Sequence, residues 1–363
     1  VQDAYPEATV TGTVILSAFT TKLAIYALAR AFPGTDILIP IGGAMIILPI
    51  VYVVLENDLR RVLAYSLNSQ LGYMVIGVGI GSELALNGTA AHVFVHIMYK
   101  SLLFMCMGAV LFRTGTVKVT ELGGLYKSMP VTTIFCLIGA VSIAAFPLTG
   151  GFVSKAMIQS AALNGGLFVL WPVMLFACAG IMDHSGLKVP FFTFFSKDRG
   201  IRVQEAPANM LIAMGIAAFF CIGIGVFPGL LFELLPYAPT YNPYSFGHIV
   251  SALQLLLFAI LAFMLLIRFK VYPSELRSTN LDFDWFYRVP LKRLILAIGR
   301  LILIVWNWSL GIANDVLRYF IGLVSETHSS GKVMARTTAS STAVVIIVAL
   351  LGVLLVFLYQ FPQ

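Results

Sequence analysis

Val131-Thr-Thr-Ile-Phe-Cys-Leu-Ile-Gly-Ala-Val-Ser-Ile-Ala-Ala-Phe-Pro-Leu-Thr-Gly-Gly-Phe-Val-Ser-Lys-Ala-Met-Ile-Gln-Ser-Ala-Ala-Leu163 is apolar enough to enter a bilayer and too long to cross it as one straight helix. About 20 residues span the hydrocarbon core. Pro147, Gly150 and Gly151 stand at the centre of the stretch. Proline removes a backbone donor and clashes with the turn before it. The segment is therefore expected to be a broken helix. Inside a membrane, freed backbone groups survive only against neighbouring protein or a water-lined path. Lys155 follows just past the break. Two readings stand, a transport site or a proline kink whose lysine snorkels to the surface. Its place near the middle of the segment makes snorkelling hard.

Working outward, similar apolar stretches recur along the chain. The main spans are read at approximately 8–31, 37–55, 62–81, 88–112, 131–163, 167–187, 208–232, 246–269 and 340–361. Hydrophobic residues make up 59% of the chain and charged residues 11%, less than half the roughly 25% of soluble domains. The fold class expected is an all-α polytopic membrane protein, a transmembrane helix bundle. A membrane β-barrel needs short alternating segments, which these continuous runs exclude.

Loop charges orient the bundle. Arg60 and Arg61; Arg113, Lys118 and Lys127; Lys188, Lys197, Arg199 and Arg202; and Arg268, Lys270, Arg277 and Arg288 fall in alternate loops. The intervening loops carry Asp36, Glu83 and Glu233 with almost no lysine or arginine. The basic loops are expected on the cytoplasmic side, with the start of the chain cytoplasmic and its end outside. The net charge of +7 is ordinary for such a protein and does not point to nucleic acid. The four cysteines, Cys106, Cys136, Cys178 and Cys221, lie in apolar segments without paired metal-binding spacing, and read as inert core residues. No initiator methionine or signal peptide is present, so the sequence reads as beginning inside a longer protein.

Charges within the spans carry the chemistry. A charge at the bilayer centre costs about 2.5–3.5 kcal/mol on insertion scales, so such residues usually face a partner or a water path. Lys22, Lys100 and Lys155 are placed this way. His92, His96 and Lys100, four apart, share one helix face, separated by roughly 6 Å per turn. Protonatable groups so spaced can hand a proton along through side-chain rotation and water, and histidine suits the task because it titrates near neutrality. Lys22, after Thr20 and Thr21, reads either as a relay or as the static partner of a carboxylate on another helix. Tyr65, Ser66, Asn68, Ser69 and Gln70 form a polar patch that either hydrates a half-channel or bonds between helices. Asp58, Arg60 and Arg61 read as a solvated cytoplasmic loop. His184 and Lys188 read as groups at a helix end that interact with its dipole. His248 and His328 read as peripheral.

Domains are expected at 1–270 (transmembrane bundle), 271–339 (cytoplasmic linker and amphipathic helix) and 340–361 (terminal transmembrane helix). Between Leu291 and Leu323, Lys292, Arg293, Arg300, Asn314, Asp315 and Arg318 interrupt the apolar pattern at helical spacing. This segment either spans or lies on the membrane, and a surface helix is favoured. Tyr272 to Arg288 reads as an ordered linker and partner contact. There is no phosphate-binding loop, dinucleotide fingerprint, haem or iron–sulfur pattern, or nucleophile elbow. No cofactor or metal is expected, and any driving energy must come from an ion gradient or a partner subunit.

Asp3-Ala-Tyr-Pro-Glu-Ala-Thr-Val-Thr-Gly12, Thr20-Thr-Lys22, Asn57-Asp-Leu-Arg-Arg-Val-Leu-Ala-Tyr-Ser66, His96-Ile-Met-Tyr-Lys-Ser-Leu-Leu-Phe104, Gly123-Gly-Leu-Tyr-Lys-Ser-Met-Pro130 and Phe146-Pro-Leu-Thr-Gly-Gly-Phe-Val-Ser-Lys155 resemble the antiporter-like subunits. These subunits occur in respiratory complex I, membrane-bound hydrogenases and Mrp multisubunit sodium/proton antiporters. The resemblance runs from residue 1 to about 270. Thr9-Val-Thr-Gly-Thr-Val-Ile-Leu-Ser-Ala-Phe-Thr-Thr-Lys22, His184-Ser-Gly-Leu-Lys-Val-Pro-Phe-Phe192 and Leu276-Arg-Ser-Thr-Asn-Leu-Asp-Phe-Asp-Trp285 resemble the D subunit of the Mrp antiporters more than complex I subunits. The resemblance implies a fold of inverted five-helix repeats, of which this chain holds roughly the second; the first, with its glutamate–lysine pair, is not in this sequence. It implies that Lys22 bridges two half-channels, that His92, His96 and Lys100 form a central hydrophilic axis, and that Lys155 communicates with the outer side. It further implies other membrane subunits as partners, protons and sodium as the ions moved, and a bacterial inner membrane. The alternative is a proton-pumping subunit of a redox complex, an NADH–quinone oxidoreductase or hydrogenase.

Overall fold

The computed structural model describes residues 1–238, 241–272, 284–329, 332 and 340–360. The chain divides into two units, Val1–Asn280 and Leu281–Gln363. Among the described residues, the first contains nine principal helices: α1 Val10–Ala31, α2 Leu38–Leu55, α3 Leu59–Ile80, α4 Glu83–Thr114, α5 Pro130–Ile143, α6 Gly150–Asn164, α7 Leu170–Phe195, α8 Ala208–Val226 and α9 Phe246–Arg268. Eight helices among the described residues of both units are long and apolar enough to cross a membrane. The fold is therefore an all-α polytopic membrane bundle.

Helix α3 is outside that set because its composition is polar, yet its 22 residues extend about 33 Å, long enough to cross. Almost every one of its residues is buried. A polar helix is tolerated at this depth because protein, not lipid, surrounds it. Asp58 caps α3, accepting from Arg60 N (2.8 Å) and Arg61 N (3.1 Å), which satisfies two of the donors a helix start leaves free. Helix α4 is the centre of the unit, packing against α1, α3, α5, α6 and α8.

The stretch 131–163 forms two helices. α5 stops at Ile143 and α6 starts at Gly150. Their 14 and 15 residues reach only about 21 and 22 Å each, so they cross the core only in series. Ala145 and Leu148 in the connection adopt positive φ, 61° and 69°, a costly conformation for non-glycine residues. At Gly151 a Cβ would lie 1.9 Å from the Ser142 carbonyl oxygen, so only glycine lets the two halves meet. The N-terminus of α5 is held from afar: Glu205 accepts from Val131 N (2.8 Å) and Thr132 Oγ1 (2.6 Å).

The second unit contains α10, Tyr287–His328, and α11, Ser340–Gln360. From Lys292, α10 runs 37 regular residues, about 55 Å, nearly twice the thickness of the hydrocarbon core. Arg293, Arg300, Asn307 and Asn314 recur every seventh residue, a nearly straight polar stripe with a drift of only about 20° per repeat. Asp315 and Arg318 lie beside it. The apolar remainder, Trp306 and Trp308 included, is exposed. Most of the linker expected from Tyr272 to Arg288, residues 273–283, and Arg336 lie outside the described residues.

Candidate functional site

The broken helix creates the first element of the site. A helix end leaves its last four carbonyls without intrahelical donors. Lys155, 1% exposed, donates its ammonium to the carbonyl of Ile143, the last residue of α5, at 2.6 Å. The negative end of a helix favours a cation. The lysine also lies 5.7 Å from the centre of the Tyr73 ring, a cation–π distance. Lys155 is buried at the break rather than extended toward a surface.

Lys22 occupies a parallel position in α1. Residues Leu16–Thr20 form a π-helical turn, the kind of irregularity that frequents functional sites. The Lys22 ammonium donates to the Ser17 carbonyl in that turn and approaches Thr21 Oγ1 at 3.3 Å. Among the described residues, neither Lys22 nor Lys155 nor Lys100 forms an ion pair. The static carboxylate partner weighed for Lys22 is not found there.

Helix α4 carries the line that follows Lys155. Ser154, beside it, sits 2.9 Å from His92 Nδ1, and His92 Nε2 is 3.0 Å from Gln70 Oε1. Tyr99 donates to the same amide oxygen at 3.1 Å. The His92 and His96 ring centres are 6.0 Å apart. Both nitrogens of His96 and the ammonium of Lys100 are buried without a protein hydrogen-bond partner among the described residues. Lys100 sits 5.9 Å from the Phe104 ring centre. Ser154, His92, His96 and Lys100 thus form a row of titratable and hydroxyl groups, all fully buried. Such a row can pass protons, with water joining groups too far apart for direct bonds.

Several polar residues read as peripheral are structural or internal. Arg60 is not in a solvated loop: 4% exposed, it donates to Ala8 O at 2.9 Å and to Thr13 Oγ1, fastening the start of α1. Lys188 is buried and donates to Val53 O, Val54 O and Glu56 O at 3.1, 2.9 and 2.8 Å. It therefore caps the C-terminal end of α2 instead of acting on its own helix. His184 is buried too, with Nδ1 2.9 Å from Ser185 Oγ, which donates to Ser66 Oγ at 2.8 Å. In the polar patch of α3 three residues bond between helices: Ser69 donates to Ile46 O at 2.9 Å, Ser66 accepts from Ser185, and Gln70 meets His92 and Tyr99. His248 is not isolated, being joined to Tyr241 and Ser160. The four cysteines are buried and free.

The chain is 33% identical over 243 residues to the L subunit of F(420)H(2) dehydrogenase of Methanosarcina mazei, covering 61% of this chain and 36% of that protein. It is 34% identical over 196 residues to the D subunit of the Na(+)/H(+) antiporter of Alkalihalophilus pseudofirmus, covering 51% of this chain and 39% of that protein. The chain thus spans well under half the length of the curated relatives it matches. Its fold is similar to that of a chain in membrane-bound sulfane sulfur reductase, an archaeal respiratory membrane complex. That likeness has a TM-score of 0.61 and 22% identity, and covers 97% of this chain and 64% of the other. Residues 1–182 match the family described as NADH:quinone oxidoreductase/Mrp antiporter, TM, and with half its length inside that match the chain belongs to this family of membrane proteins.

Proposed function

We propose that the chain is a proton-translocating subunit, of the Mrp D type, in a multisubunit sodium/proton antiporter of a bacterial plasma membrane. The observation that carries this reading is the buried row Ser154–His92–His96–Lys100, flanked by Lys22 and Lys155 and lacking an ion pair at any of the three lysines among the described residues. Structural charges in a membrane core are ordinarily paired. These lysines instead meet carbonyls, a ring or nothing. Lys22, His96, Lys100 and Lys155 take up and release a proton in turn. Like charges at this spacing disfavour one another, so protonating one favours release from the next. His92 and Ser154 link the central row to Lys155.

Coupling to sodium runs through the other membrane subunits of the complex. The unit 1–270 is the translocating bundle. The amphipathic helix in 271–339 lies along the membrane surface, as the length and polar stripe of α10 favour, and 340–361 crosses the membrane.

The test is cation/proton exchange in everted vesicles from cells lacking other antiporters, followed with a pH-sensitive dye on addition of sodium. The intact complex is compared with its Lys100→Ala and Lys155→Ala forms. Sodium-dependent proton movement lost in both variants supports the reading; exchange unchanged in both sinks it. A second reading, the pumping module of a redox complex, is favoured by the identity with the F(420)H(2) dehydrogenase subunit. Proton movement that requires an electron donor and ignores sodium would establish that alternative.

A further inference from the structure

Beside Lys155 lies a cavity of about 560 Å³ whose lining includes Gln159, Ser160, Cys178, His248 and Gln254. Its polar groups are not scattered. Lys155 and Gln159, four apart on α6, are neighbours on one helix face, and Ser160 follows. Ser160 Oγ is 3.0 Å from the Tyr241 hydroxyl and 3.5 Å from His248 Nε2. The Tyr241 hydroxyl is in turn 3.0 Å from His248 Nδ1. The three side chains come from three separate places: α6, the loop ahead of α9, and the first turn of α9. That loop is anchored: Asn87 of α4 donates to Tyr237 O at 2.9 Å and accepts from Tyr237 N at 3.0 Å. The start of α9 is capped by Ser245, which accepts from His248 N at 3.4 Å. The group belongs to the end of the bundle whose loops carry Asp36, Glu83 and Glu233, opposite the basic loops.

We propose that His248 is the outermost station of the proton path, the group at which a proton passes between the water of the acidic side and the cavity beside Lys155. The inference rests on the proton-relay reading above. In antiport the proton enters at this side: the His248 imidazolium gives its proton to the Tyr241 and Ser160 hydroxyls, and intervening water in the cavity carries it to a neutral Lys155. Each hydroxyl accepts one proton as it donates its own, so neither changes charge overall. His248 is left as the neutral imidazole and takes its next proton from water on the acidic side. Lys155, now an ammonium, passes its proton on to the row on α4. The first turn of α9 thereby becomes part of the conducting path, a place where composition showed only one histidine before an apolar helix.

The test uses the intact complex in everted vesicles and compares wild type, Lys155→Ala, His248→Ala and His248→Gln, each with and without permeant imidazole equilibrated into the lumen. Glutamine keeps hydrogen bonding but carries no proton, so it remains informative if alanine prevents assembly. The His248 variants should lose roughly a hundredfold in exchange rate, the low end of the range for a missing proton-transfer group, and lumenal imidazole should restore most of it. Imidazole should leave Lys155→Ala inactive. Full exchange in His248→Gln, or a loss that imidazole does not restore, overturns the assignment of His248 while the relay stands. Full exchange in Lys155→Ala overturns the relay itself.

Discussion

Lys22 and Lys155 sit at irregular places in their helices, and each gives its ammonium to a backbone carbonyl that the irregularity exposes. Lys100, with His96 one turn before it, sits in the middle of an unbroken 32-residue helix and finds no protein acceptor among the described residues. A straight helix uses all its carbonyls internally, so it has none to offer a neighbouring charge. A break or a π turn releases one. The contrast lies in the acceptors: a backbone carbonyl at each of the two interrupted helices, and none among the described residues for the ammonium on the continuous one. On the proposed path, the stations without a carbonyl acceptor belong to the helix that packs against both interrupted ones.

The largest effect that can break this comparison is on transport. Lys155→Met and Lys100→Met are both expected to lower exchange at least about a hundredfold, the usual scale for loss of a proton-transfer group. If only one of them matters in the vesicle assay, the row does not work as a unit. Next is Gly151→Ala, whose new Cβ would meet the Ser142 carbonyl at 1.9 Å. Because that contact is with backbone, overpacking should cost at least about 1–3 kcal/mol. The expected result is little assembled complex on native gels, and normal yield would show that the break can open.

A finer test compares the stability of Lys100→Met and Lys155→Met. Both substitutions remove a buried amine and with it the cost of keeping that group out of water. Only Lys155→Met also leaves a carbonyl, Ile143 O, unsatisfied, at a cost of about 1–3 kcal/mol. Thermal unfolding of the purified complex should therefore rank Lys100→Met above Lys155→Met. Equal midpoints would erase the distinction between held and unheld lysines.

The smallest effect lies outside the membrane. Asp198 accepts from Arg202 (2.8 Å), Lys127 (2.9 Å) and Gly200 N (2.8 Å). Its carboxyl is held well below the ordinary carboxylate range, first by the Arg202 bond and then by Lys127. A depressed folded value means that the stabilisation is complete above the unfolded value of about 3.9 and fades as pH falls through the folded one. The modest stability gap between wild type and Asp198→Asn should thus narrow on acidification. A gap independent of pH would show that these ion pairs contribute nothing, as exposed pairs often do.

Apolar runs revealed the membrane class and most helix positions, because lipid imposes length and hydrophobicity locally. Pro147, Gly150 and Gly151 marked the break for the same reason, since backbone chemistry is local. The row on α4 was legible from its spacing of four. What remained hidden depended on distant partners. Arg60 and Lys188 lie beside helix ends, where positive-inside anchors also occur, and their acceptors, Ala8 O and Glu56 O, are 52 and 132 residues away. His248 offered a faint signal, Tyr241 seven residues earlier, but Ser160, 88 residues before it, completes the group only through folding.

The bond from Lys188 to the end of α2 also imposes a sequence of events during synthesis. The carbonyl of Glu56 leaves the ribosome 132 residues before the ammonium that will serve it. At about 5–20 residues per second, α2 exists for roughly ten seconds before its terminal partner is made. During that interval its exposed carbonyls must stay at the aqueous boundary. Arrival of α7 then fastens the end of α2 from the side, a latch that closes before α8 and α9 are made.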